Sequence, residues 1–342
     1  MAVKSDQAVR WLNAARKEGK VLAKPSAGSR FATVQWDREA ALVGIQDEAI
    51  VHLEAAARTL RRGRGAQAIA APPTEILGLI RGGPPSLKAA QAVLQEAGRR
   101  LMDGAWRVAA RDPVLRPLHR ARFLGPIPRP ARNIFCVGRN YAEHAKERGA
   151  DIPTVPVFFT KPPSCVVGHG ADVMAWPATQ NLDYEVELAV VIGKPGRDIP
   201  RAKAYDHVFG YTILNDITAR DLQKRHTQWF KGKSLDTFAP LGPWIVPKSS
   251  LPDPHTLRII LRVNGEIRQA ATTADMIFRI DELIEVLSGG MTLEPGDIIA
   301  TGTPSGVAAG FDPPRWLQVG DVVEAEVEGI GVLRNRIVAP KP

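Results

Sequence analysis

Leu182-Asp183-Tyr184-Glu185-Val186-Glu187-Leu188-Ala189-Val190-Val191-Ile192-Gly193 is the stretch around which the chain is organised. From Tyr184 onward, aromatic and β-branched residues predict a strand, and Gly193-Lys194-Pro195-Gly196 ends it. Side chains alternate along a strand, so Glu185 and Glu187 share one side of it. Like charges at that spacing are tolerated on a solvated edge or around a bound cation. A third acid, Asp216, closes the apolar run Tyr211-Thr212-Ile213-Leu214-Asn215-Asp216. If it converges on the pair, each carboxylate contact at about 4 Å costs about 4 kcal/mol at an effective dielectric near 20. Three such contacts rival the whole stability of a domain, about 5–15 kcal/mol, so the cluster calls for a dication. Oxygen ligands without Cys or His point to Mg2+ or Mn2+ rather than zinc.

The 342 residues suffice for two domains, or for one large domain with an N-terminal extension. No apolar run approaches a membrane span, and Met1-Ala2-Val3-Lys4-Ser5-Asp6 lacks the apolar core of a secretory signal. Cys136 and Cys165 form neither a disulfide framework nor a metal spacing, which suits a cytoplasmic protein. The net charge of +9 is concentrated in residues 1–132, where Lys and Arg are about twice as frequent as Asp and Glu. Those arginines are scattered, with no zinc finger, RNA-binding signature or basic-aromatic stripe, which argues against a nucleic-acid partner.

Ser5 to Glu18 reads as an amphipathic helix. Phe31 to Trp36, Ala41 to Ile45 and Ala49 to Leu53 read as a three-stranded meander. Thr74 to Arg81 and Ser86 to Ala105 look helical, split by Gly82-Gly83-Pro84-Pro85. The Pro-rich run Gly125 to Pro130 marks a boundary between an N-terminal α+β region, 1–128, and a second domain, 129–342. In the second, Asn133 to Gly138 and Val155 to Thr160 read as strands, and Arg139 to Gly149 as a polar helix. A hairpin turn is expected at Asn264-Gly265, a helix over Asp281 to Leu287, and closing strands over Val322 to Val327 and Val332 to Ile337.

The ordered motifs Gly138-Arg139-Asn140-Tyr141, Lys161-Pro162, Asp183-Tyr184-Glu185-Val186-Glu187, Asn215-Asp216 with Ala219-Arg220-Asp221 and Gln223, and Gly296-Asp297 with Thr301-Gly302-Thr303-Pro304 resemble the fumarylacetoacetate hydrolase (FAH) family. The resemblance spans about residues 130–338. Its nearest members are bacterial 2-oxohepta-3-ene-1,7-dioate hydratase/isomerase-like proteins and acylpyruvases. It implies an α+β fold, a mixed β-roll or β-sandwich with short helices, and a homodimer. It implies one Mg2+ or Mn2+ per subunit on Glu185, Glu187 and Asp216, and a catalytic His144–Glu147 dyad on a mobile lid helix. Lys161 joins the catalytic set, while Arg139, Tyr141, Arg220, Gln223, Lys233 and Thr303 are expected to bind substrate. A further Asp ligand of full fumarylacetoacetate hydrolases has no counterpart in Gly138-Arg139-Asn140-Tyr141, which counts against fumarylacetoacetate itself as the substrate.

A 2-oxo acid chelates such a metal through carboxylate and keto oxygens, and the metal stabilises the enolate of a breaking C–C bond. Hydrolytic C–C cleavage, as in acylpyruvate hydrolysis with His144 activating water, is the first expectation. Decarboxylation or tautomerisation of oxaloacetate, or isomerisation of a 2-hydroxyhepta-2,4-diene-1,7-dioate in aromatic catabolism, is the alternative, needing only the metal and a proton carrier. A basic binding protein on an inactive form of the fold is the non-enzymatic alternative, against which the intact acids, His144 and Lys161 argue.

Overall fold

The computed structural model describes residues 28–62 and 69–340, so the helix expected over Ser5 to Glu18 lies outside the described residues. Phe31–Trp36, Glu39–Gln46 and Ala49–His52 form the expected antiparallel meander, with Trp36 opposite Glu39 and Gln46 opposite Ala49. Each two-residue turn places an Asp in the left-handed region, Asp37 at φ 55° and Asp47 at φ 49°, which short polar side chains tolerate.

Leu53 does not continue the third strand. It opens a helix, Leu53–Arg62, whose buried Leu53, Ala56, Ala57 and Leu60 follow the i, i+3, i+4, i+7 spacing of an apolar stripe. The two later helices are Ile76–Arg81 and Gly83–Met102, parted by Gly82 alone. Pro84 and Pro85 lie in the first turn of the longer helix, where a missing N–H leaves no hydrogen bond unmade. That helix lays Ala90, Val93, Leu94 and Ala97 against the meander, and Leu94 fills the space a Cβ on Gly44 would need.

The meander belongs to a 12-stranded mixed sheet. Phe31 pairs with Ile245 in Ala239–Pro247, and the order continues through Val208–Asn215, Val186–Ile192, Ile298–Ala300, Ile134–Gly138 and Val157–Lys161. A five-stranded sheet, built on Arg258–Val263, Glu266–Thr272, Val322–Val327 and Gly331–Val338 with Asp172–Met174, packs on the central strands of the first. Its Asn264-Gly265 turn has both residues at positive φ, 51° and 81°. The molecule is thus α+β, with large sheets and short helices. Among the described residues no helix is long and apolar enough to cross a membrane.

Val186–Ile192 is buried along its whole length, flanked by a strand on each edge and by side chains on each face. That explains a continuous apolar run where a half-exposed strand would alternate. The segment differs from the sequence expectation at its start. Leu182–Asp183 pairs separately with Thr218–Ala219, and the long strand begins only at Val186. Glu185 lies in the break, held by Asp216 N–H on its carbonyl at 2.8 Å and by its own N–H on Asn215 Oδ1 at 3.1 Å.

Candidate active site

The break in the strand brings the three acids together. Oxygens of Glu185, Glu187 and Asp216 lie within 4.8 Å of one another, and all three residues are buried. A solvated edge is therefore not what this pair of glutamates occupies. Burial raises the question of what balances the charge. Lys161 Nζ donates to Asp216 Oδ1 at 2.6 Å and Lys233 Nζ to Asp216 Oδ2 at 2.7 Å. Lys233 also reaches Glu185 Oε2 at 2.8 Å, and Arg220 reaches Glu185 Oε1 at 2.6 Å.

Glu185 and Glu187 consequently titrate in opposite directions. Burial alone would raise Glu185, but the Lys233 and Arg220 charges outweigh it and hold the carboxyl well below the usual range. Glu187 has no ion pair among the described residues, and its donor is the Gly302 N–H at 2.7 Å. Burial, then the Asp216 and Glu185 carboxylates, push it well above the usual range. A buried carboxyl whose ionisation is opposed by its carboxylate neighbours is the arrangement a dication would relieve. Three hard oxygen donors with no Cys or His among them fit such an ion.

Lys161 is fully buried, and Asp216, the Ile217 carbonyl at 3.1 Å and the Lys233 carbonyl take its three N–H groups. Like Asp216 and Glu187, it does not line the cavity, to which Glu185 alone of the three acids is open. This geometry suits holding a metal ligand rather than touching substrate. Tyr141 is likewise buried behind the cavity wall, its hydroxyl without a hydrogen-bond partner. Arg139, His144, Glu185, Arg220, Gln223, Lys233 and Thr303 do line it, around a volume of about 550 Å³.

His144 Nδ1 lies 3.2 Å from Glu147 Oε2, and Glu147 Oε1 accepts the Gly306 N–H at 2.8 Å. The carboxylate favours the tautomer with the proton on Nδ1 and leaves Nε2 as a base. The lid helix, Ala142–Glu147, is shorter than its polar sequence predicts and is anchored, with Ala145 buried and Glu147 tied to the 306 turn. Thr303 Oγ1 gives its proton to the Val186 carbonyl at 2.9 Å and accepts from Gln269 Nε2 at 2.8 Å. Its hydroxyl proton is thus committed within the protein. Gln223 Oε1 accepts from Arg220 at 3.1 Å, which leaves its NH2 group as the free donor of a residue that lines the cavity.

Three residues that the sequence left without a role organise the site. Asn140 is fully buried and clasps the carbonyls of Phe278 and Thr301 and the amide of Phe278, fixing the base of the lid. Gln269 bonds the Val186 amide at 3.0 Å, where no strand partner reaches it. Asp183 receives Arg220 Nε at 2.8 Å and the amides of Tyr184, Ala308 and Ala309. Asn140 and Asp183 sat inside the motifs, but nothing local marks a buried hydrogen-bond acceptor. Gln269 carried no signal.

The Fumarylacetoacetate (FAA) hydrolase C-terminal profile matches residues 133–338. The chain belongs to the fumarylacetoacetate hydrolase family. It is 58% identical over 223 residues to the oxaloacetate tautomerase YisK of Bacillus subtilis, covering 64% of this chain and 74% of the relative. The fumarylacetoacetate hydrolase of Exiguobacterium antarcticum superposes with a TM-score of 0.73 at 36% identity, over 92% of this chain and all of that one. A probable 2-hydroxyhepta-2,4-diene-1,7-dioate isomerase of Mycobacterium abscessus gives 0.70 at 32% identity over the same shares. The family's named members are enzymes, and so is this chain.

Proposed function

We propose that this FAH-family enzyme is a divalent-metal-dependent tautomerase of a 2-oxo dicarboxylic acid, with oxaloacetate the substrate best supported. The likeness to an oxaloacetate tautomerase at 58% identity carries the reading. It favours the tautomerase alternative over the hydrolytic C–C cleavage expected first from the sequence. The buried acids at 185, 187 and 216 support Mg2+ or Mn2+ as the cofactor, which when bound would stabilise negative charge on the 2-oxo oxygen.

The chain's own residues supply the rest. Arg220 and Lys233, both held cationic against burial by their carboxylate neighbours, line the cavity and offset the substrate's charge. The NH2 end of Gln223 orients the 2-oxo acid group. His144 Nε2 takes a proton from C3 of the keto form, and the electron pair of that C–H bond becomes the C2–C3 double bond. The proton taken up by His144 passes to the 2-oxo oxygen, which completes the enol and restores the neutral imidazole. Glu147 keeps the imidazole in the required tautomer and stabilises it while charged. No water is consumed, in contrast to hydrolysis. A homodimer, implied by the family, is part of the same proposal.

Keto–enol exchange of oxaloacetate, followed by the enol's ultraviolet absorbance with Mg2+, Mn2+ or EDTA, tests the reading. Metal-dependent acceleration without pyruvate release supports tautomerisation. No acceleration, together with metal-dependent cleavage of an acylpyruvate, would replace it with hydrolysis, the reaction for which the Exiguobacterium enzyme is named.

A further inference from the structure

The tautomerase reading uses one end of the substrate, the carboxylate and keto oxygens that face the buried acids. The cavity wall carries two further guanidinium groups, those of Arg139 and Arg148. Neither forms an ion pair among the described residues, although the site is otherwise densely paired.

Arg139 ends the strand Ile134–Gly138 with φ 57°, in the left-handed region that a long side chain seldom adopts. Such strain persists where the surroundings hold it, and it is concentrated at ligand sites. Here the surroundings are aromatic. The Arg139 guanidinium lies over the Trp229 ring, 5.5 Å from its centroid, and Trp229 meets Phe159 edge-on at 5.4 Å. Trp229 can approach because residue 138 is glycine, since a Cβ there would stand 2.4 Å from the ring. A cation is thus presented to the cavity by backbone strain and a π face, with no carboxylate to neutralise it.

Arg148 caps the lid helix, its N–H bonded to the His144 carbonyl at 3.1 Å, one turn from the proposed base. It lines the cavity. Partial burial, then repulsion from Arg220, lower its pKa, and the charges of Asp183, Glu185 and Glu147 oppose that shift without forming an ion pair with it. The charges around the metal ligands nearly cancel, because Asp183, Glu185 and Asp216 face Lys161, Lys233 and Arg220. Arg139 and Arg148 stand outside this balance and add positive charge to the cavity wall. A dianion matches that excess better than a monoanion.

We propose that Arg139 and Arg148 form a clamp for the distal carboxylate of the substrate, restricting the enzyme to 2-oxo acids with a second carboxylate. The clamp rests on the tautomerase reading for the placement of the first carboxylate. Paired guanidinium–carboxylate contacts are strong and directional, so they discriminate by charge as well as by reach. Arg148 reaches the cavity from the end of the helix that carries His144.

The test compares metal-loaded wild type, Arg148→Gln and Arg139→Gln in two assays. The first measures tautomerisation of oxaloacetate and of phenylpyruvate, an enolisable 2-oxo acid with one carboxylate. The second is calorimetric binding of 2-oxoglutarate and 2-oxobutyrate in the presence of Mg2+, which needs no turnover. The clamp predicts a rise of about 10- to 100-fold in KM for oxaloacetate in each variant, with kcat nearly unchanged and phenylpyruvate unaffected. It also predicts that the wild-type preference for 2-oxoglutarate over 2-oxobutyrate is lost. Equal losses for both substrates, or an unchanged preference for the dianion, would overturn it. Absence of turnover in wild type alongside an Arg148-dependent preference in binding would overturn the tautomerase reading and leave the clamp standing.

Discussion

Asp183 accepts Arg220 Nε at 2.8 Å, and through this contact the charges of the buried acids are joined to the loop that holds Glu147. The same carboxylate holds the amides of Ala308 and Ala309, while Gly306 in that loop holds Glu147. Removing Asp183 would leave the buried Arg220 guanidinium leaning on Glu185 alone. Asp183→Ala should therefore destabilise the protein by about 3–5 kcal/mol, the usual cost of breaking a buried ion pair from one side. Urea denaturation measures it, and a loss below about 1 kcal/mol would mean that the pair is not a structural unit.

Glu187 should make metal binding and stability depend on pH. The unfolded chain loses this proton near pH 4, whereas burial and the neighbouring carboxylates keep it bound to higher pH in the metal-free fold. A raised folded pKa contributes stability that is complete below the unfolded value and is lost as pH rises through the folded one. Metal-free wild type should thus lose stability with rising pH, and Glu187→Gln should flatten that loss. Metal binding at a pH where Glu187 still holds its proton should release it, seen as a calorimetric heat that changes with the buffer's ionisation enthalpy. Heats independent of buffer would contradict a protonated Glu187.

Chelation should remove activity without unfolding the chain, because Lys161, Lys233 and Arg220 remain to balance the ionised acids. Adding back Mg2+ or Mn2+ at about 100 times its Kd should restore activity and stabilise the fold by about 2.7 kcal/mol. A thermal midpoint indifferent to metal would count against a site at these carboxylates.

His144→Ala should lower kcat for tautomerisation by about 10²–10⁴, the range for loss of a positioned general base. Metal affinity should hardly change, because the imidazole partners Glu147 and is not among the clustered acids. Glu147→Gln should cost less, since the base remains, and should displace the acidic limb of the pH–rate profile. If both variants kept full activity on oxaloacetate, the dyad would have no part in the reaction.

Gly138→Ala probes the cavity wall. A methyl group there would meet the Trp229 ring at 2.4 Å and push it, with the stacked Arg139, out of place. The expected result is a raised KM with the far-ultraviolet circular dichroism unchanged. An unaltered KM would show that the Trp229–Arg139 stack does not bear on substrate binding.

The order of motifs, the strand at 186–192, the meander after Phe31 and the Asn264-Gly265 hairpin were legible in the sequence. These depend on the alternation of side chains and on turn chemistry, which are properties of a few neighbouring residues. The helix at Leu53–Arg62 was not read from the sequence, although its buried residues follow i, i+3, i+4, i+7 spacing, because the apolar Ala49 to Leu53 run reads as a strand across its start. The convergence of Glu185, Glu187 and Asp216 was only a condition in the residue pattern, and it was the family resemblance that implied all three as one set. Only the tertiary structure decided which acids received a cation. Lys161 lies 55 residues from Asp216 along the chain and Lys233 lies 48 from Glu185, so their pairing depends on sheet order. That order leaves Glu187 with an amide alone, sets Lys161 against Asp216 and gives Asp183 the loop that holds Glu147. Each outcome is set by burial and by long-range neighbours, and no local pattern of residues encodes either.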